Sequence, residues 1–66
     1  MDLEEAVDRA RSFLRSKAGY YYATLESAKL EDGVWNLEFD VGFLQKIIVK
    51  VKIDDKTGRV IEYGKR

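Results

Sequence analysis

Cysteine, histidine and proline are all absent from this 66-residue chain, and tryptophan and methionine occur once each. Without cysteine there is no disulfide scaffold, thiolate metal site or thiol nucleophile. Without histidine there is no imidazole base and little prospect of a transition-metal centre. No apolar run approaches the length that crosses a bilayer, and acidic residues follow Met1 directly, so neither a membrane span nor a signal peptide is expected. The chain reads as cytoplasmic. Net charge is lacking too: 12 basic side chains balance 12 acidic ones. This argues against bulk attraction to nucleic acid or to an anionic membrane. Residues 1–33 carry a net −2 and residues 34–66 a net +2, a mild asymmetry.

What is present is 45% hydrophobic and 36% charged residues in a length that supports one small core. A single α+β domain over residues 1–66 is expected, with total stability on the order of 3–10 kcal/mol. The charge-rich usage, poor in thermolabile side chains, resembles that of thermophile proteins.

Leu3, Ala6, Val7, Ala10, Phe13, Leu14 and Ala18 recur at spacings of three and four, which predicts an amphipathic helix over about residues 3–17. Asp2 stands at the N-cap with Glu5 three residues on, as in a capping box. Acidic residues fill the first half and basic residues the second, matching the helix dipole. Gly19 ends the helix.

Beyond it the period falls to two. Tyr20 to Lys29 reads as a first strand whose imperfect alternation calls for a bulge near Ser27. Asp32-Gly33 signals a hairpin. Trp35, Leu37, Phe39 and Val41 share one face of a second strand, which places Trp35 beneath the helix. Gly42 to Gln45 make a turn, and Ile47, Val49, Val51 and Ile53 continue that face on a third strand. The opposite faces carry Glu38 and Asp40 on one strand and Lys46, Ile48, Lys50 and Lys52 on the next, so cross-strand ion pairs are expected. Asp54 to Gly58 form a turn, and Arg59 to Tyr63 a fourth strand. The whole predicts one N-terminal helix packed on a four-stranded antiparallel meander in two layers.

Chemistry has few footholds here. The pairs Glu31/Asp32 and Asp54/Asp55 are the only carboxylate candidates. Both lie in turns, where short acidic side chains serve their own backbone and too few oxygens are at hand for a hard cation. The serines have no histidine base. No enzyme activity, cofactor or metal site is expected. Tyr20, Tyr21 and Tyr22 beside basic residues suggest a base-stacking sheet surface, but alternation divides their rings between the two faces. Ile48 interrupts a polar face and, with Val34, suggests an apolar patch. Edge strands offer unpaired backbone groups, with Glu26 and Lys29 as light protection on the first.

The run from Trp35 to Tyr63, with its Lys-rich strand and the closing Asp54-Asp55-Lys56-Thr57-Gly58-Arg59-Val60 turn and strand, resembles the PepSY domain family. The preceding helix, with Ala6, Ala10, Phe13-Leu14 and then Gly19, fits the same pattern. That resemblance implies a small α+β binding or inhibitory module of the kind found in propeptides of thermolysin-type metallopeptidases and in membrane-associated proteins. A weaker likeness, through Gly33-Val34-Trp35, Leu37-Glu38 and Gly58-Arg59-Val60-Ile61-Glu62-Tyr63, is to the gas-vesicle accessory protein O family. The helix-then-meander order is also similar to the cystatin-like arrangement.

The expected function is that of a small non-enzymatic interaction module, binding a protein partner or itself as a homodimer through an exposed sheet face or edge. Its candidate residues are Tyr20, Tyr22, Lys46, Ile48, Lys50 and Lys52. The alternative, weighed down by the neutral charge, is single-stranded nucleic-acid binding through the same tyrosines and lysines.

Overall fold

A computed structural model describes all 66 residues. Helix α1 (Leu3–Ser16) is followed by strands β1 (Thr24–Glu31), β2 (Val34–Asp40), β3 (Ile48–Asp54) and β4 (Val60–Lys65). The strands form one antiparallel sheet in the order β1-β2-β3-β4. The molecule is the expected helix on a four-stranded meander.

Local chemistry accounts for each boundary. The Asp2 carboxylate accepts the Glu5 backbone N–H at 2.8 Å and so caps α1. Glu5 does not complete the reciprocal half of the box; its carboxylate instead pairs with Arg9 one turn on, at 3.1 Å. Between β1 and β2, Asp32 (φ +50°) and Gly33 (φ +76°) both lie in the left-handed region, as a two-residue type I′ hairpin requires. The first strand differs from expectation. It starts at Thr24 rather than Tyr20, so Tyr20 to Ala23 form the link that carries the chain from α1 to the sheet. The anticipated bulge is present, as a register shift between Leu25 and Ser27. It places Leu25, Ala28 and Leu30 opposite Phe39, Leu37 and Trp35, and therefore on one face.

The core is made where α1 crosses the middle of the sheet. Ala6, Ala10 and Leu14 from the helix and Leu37, Phe39, Val49, Val51 and Ile53 from β2 and β3 are buried. Two alanines at the contact bring the helix axis close to the sheet. A helix is about 10–12 Å across with its side chains, and strands lie about 4.8 Å apart, so one helix covers little more than two strands. The flanks fare differently. On the β4 side, Phe13 meets Tyr63 edge to face at 5.4 Å and Arg9 donates to the Gly58 carbonyl at 3.3 Å. There the loss of water around Tyr63 pushes its phenol pKa up, with the Tyr20 phenol beside it adding to the shift. On the β1 side, Leu25 is half-buried, while Ala28 and Leu30 face the helix layer and remain exposed.

Trp35 shares the inner face but is only half-buried, which corrects the expectation that the helix covers it. It sits at the end of the sheet, where its indole N–H donates to Asp55 Oδ1 at 2.8 Å. The same carboxylate oxygen receives the Met1 ammonium at 3.1 Å, and the Asp55 backbone N–H donates to the Gly33 carbonyl at 2.9 Å. Asp55 thereby ties the two turns at this end together.

Replacing Ala10 by Leu should overpack the helix–sheet contact and cost about 1–3 kcal/mol, read as a lower urea midpoint. The Trp35 bond holds the Asp55 carboxyl below its ordinary pKa of 3.8, with the ammonium adding to the shift. A carboxylate whose folded pKa is depressed stabilises the fold fully above the unfolded value, and that contribution is lost as pH falls below 3.8 through the folded value. Emission from the sole tryptophan should therefore shift below pH 3.8, and in Asp55→Asn that step should be absent.

Candidate interaction surfaces

The face of the sheet away from the helix carries the lysines. Glu38 stands directly opposite Lys50, yet its carboxylate accepts from Ser27 Oγ at 3.1 Å and pairs with Arg66 at 3.4 Å. Lys52 pairs with Glu62 at 3.6 Å, and Lys46 with Glu26 at 2.9 Å, a bond that raises the Lys46 pKa. Exposed pairs of this kind are screened by water, contribute little to stability and make a well-solvated surface. The apolar patch anticipated around Ile48 does not assemble. Ile48 is half-buried opposite Asp40, whereas Val34 lies opposite Asp54 at the far end of the same ladder, about 20 Å away at the usual strand rise.

The six residues singled out from sequence therefore divide. Lys50 and Lys52 lie on the outer face. Tyr20 is half-buried beside Tyr63, while Tyr22 lies in the link before β1, on the side where Arg11 and Arg15 of the helix border it. Lys46 is in the β2–β3 loop and Ile48 at the first rung of β3. Tyrosines and outer-face lysines do not form one platform.

Two other surfaces stand out. The first is the flank of β1. Every residue of this edge strand except Leu25 is exposed. Between it and the helix runs a shallow groove of about 290 Å³, lined by Leu3, Val7 and Leu25, with Glu4, Asp8 and Arg11 on its rim. Leu3 is 43% exposed and Leu30 48%. The bulge at Leu25–Ser27 blunts the start of the edge; from Ser27 to Glu31 the pairing with β2 is regular.

The second is the β2–β3 loop, where the sequence indicated only a turn. The Asp40 carboxylate accepts the backbone N–H groups of Gly42 at 3.0 Å and Ile47 at 3.1 Å, and these bonds hold its pKa below the usual value. The Val41 N–H donates to the Ile47 carbonyl at 2.9 Å. Gly42 passes so close to Gln45 that a Cβ would overlap the Gln45 carbonyl oxygen. A loop closed this tightly at its base directs Phe43 and Leu44 outward, where they are 85% and 93% exposed. Phe43 contacts Tyr22 edge to face at 6.3 Å. The signal in the sequence was two large apolar residues in a turn.

Three of the four residues in the acidic pairs are engaged structurally. Asp54 accepts the Lys56 N–H at 2.9 Å, Asp55 holds Trp35, and Glu31 pairs with Lys29 at 3.4 Å. No helix is long and apolar enough to cross a membrane.

Asp40→Ala removes the acceptor for two loop amides at once. Hydrogen exchange at Gly42 and Ile47 should accelerate while the β2 and β3 core amides stay protected; unchanged exchange at both loop sites would show that the carboxylate does not hold the loop. Comparison with known proteins is silent: no family model, curated protein or solved structure matches the chain.

Proposed function

We propose that the chain is a small non-enzymatic interaction module that receives a strand from a protein partner, or from a second copy of itself, along the Ser27–Glu31 stretch of β1. The supporting observation is the half-covered sheet. The helix spans β2 and β3, so the inner face of β1 presents Ala28 and Leu30 beside a row of unpaired backbone groups. A strand added there gains main-chain hydrogen bonds, and its alternate side chains fall over Ala28 and Leu30 next to Leu3. Backbone pairing supplies affinity in this mode, and the apolar flank supplies selectivity for strands that alternate apolar and polar residues. Of the two surfaces the sequence leaves open, a sheet face or an edge, this reading takes the edge rather than the lysine-bearing face. The PepSY resemblance, which implies a binding module, is compatible with this reading.

The test is molar mass by light scattering, together with partner capture, for the unaltered chain and for Leu30→Asp. Leu30 is half-exposed, so the variant should keep its circular dichroism and melting midpoint. Self-association or capture should fall by roughly tenfold or more, the loss expected when a charge enters a desolvated apolar contact. Association that is indifferent to Leu30→Asp, or a monomer that captures nothing, would overturn the proposal.

A further inference from the structure

The charges that cancel in the total separate in space. The molecule measures 35 × 20 × 19 Å, and only the long dimension accommodates a strand of seven or eight residues with its turns. One end of that axis holds the helix N-terminus and the turns after β1 and β3, where Glu4, Glu5, Glu31, Asp32, Asp54 and Asp55 outnumber the Lys56 and Arg59 of the last turn. The other end holds the helix C-terminus, the β2–β3 loop and the end of β4, with Arg15, Lys17, Lys46, Lys65 and Arg66. Among the acidic residues at this second end, Asp40 turns its carboxylate onto the backbone N–H groups of the β2–β3 loop, and Glu26 and Glu38 pair with Lys46 and Arg66. Arg15, Lys17 and Lys65 make no ion pair.

The four most exposed large apolar and aromatic residues, Tyr21, Tyr22, Phe43 and Leu44, lie at this basic end. Phe43 and Leu44 form the tip of the loop that Asp40 and Gly42 close, with Tyr22 in contact and Tyr21 alongside in the chain, 77% exposed. An aliphatic and an aromatic side chain at a protruding tip, phenols behind them and the unpaired cations Arg15, Lys17 and Lys65 at the same end match the successive layers of a bilayer surface. Acyl chains take the tip, the interface takes the tyrosines, and anionic headgroups take the lysines and arginines.

We propose that this end of the molecule is a docking site for an anionic phospholipid bilayer, which the chain engages peripherally through Phe43 and Leu44. The favoured occupant follows from charge complementarity. Each lysine or arginine held near an anionic surface strengthens binding by roughly fivefold, whereas two like basic ends repel each other. The site is separate from the β1 edge, so a strand partner can be held while the end of the molecule rests on lipid.

The probe is a set of unilamellar vesicles, of phosphatidylcholine alone or with one-third phosphatidylserine, assayed by co-sedimentation with the full chain. Binding should be roughly tenfold or more tighter to the anionic vesicles and should weaken as salt rises. It should be lost in the Phe43→Asp, Leu44→Asp double variant and retained in Leu30→Asp. Both tip residues are exposed, so the double variant should melt as the unaltered chain does. In Phe43→Trp, the new indole should show a blue-shifted emission only with anionic vesicles. Absence of binding to either composition, or binding indifferent to the double variant, would overturn the proposal. So would a double variant whose loss, by light scattering without lipid, is of self-association; the tip would then be a protein interface.

Discussion

Close contact between one helix and the two middle strands governs the rest of this molecule. Ala6 and Ala10 let α1 settle onto Phe39, Val49 and Val51, and that contact holds most of the side chains removed from water. A small chain buries a modest fraction of its surface, so the concentration of burial in one place leaves the margins to fend for themselves. The β4 margin is closed by Phe13 on Tyr63 and by Arg9 on the turn carbonyl. The β1 margin has no comparable closure. Both the stability and the open flank therefore stem from the same geometric fact: a helix is about two strands wide.

Much of this was legible in the residues. Apolar spacing in α1, the Asp2 cap, the Asp32-Gly33 hairpin and the alternation of β2 and β3 each depend on neighbours in sequence, and each appears in the fold. Even the bulge in β1 announced itself, because Leu25 and Leu30 cannot share a face without it. Tyr20 to Tyr22 misled, since β propensity is context dependent and here the chain needs those residues to climb from the helix to the sheet. Trp35 misled for a different reason. Alternation reports which face a side chain takes, not whether the helix reaches that far along the sheet.

The surfaces were less legible than the core, because they depend on distances that pattern does not encode. Lys50 and Lys52 are separated from the tyrosines only once the link and the register are known. Phe43 and Leu44 look like ordinary turn occupants until Asp40 and the backbone crowding at Gly42 are seen to force them outward. A neutral formal charge likewise conceals a polarised molecule, because charges distant in sequence collect at one end or the other.

The meander order bears on how the chain acquires its structure. Every strand pairs only with its neighbour in sequence, so the sheet can form by successive hairpins, each closing a short loop. Such local connectivity favours fast folding, with the two-residue turn at Asp32-Gly33 closing the smallest loop and the β2–β3 loop the largest between strands. The helix is the element whose contacts span the most sequence. Its docking onto β2 and β3 is the step that makes the assembly cooperative, because neither half of the core excludes water alone.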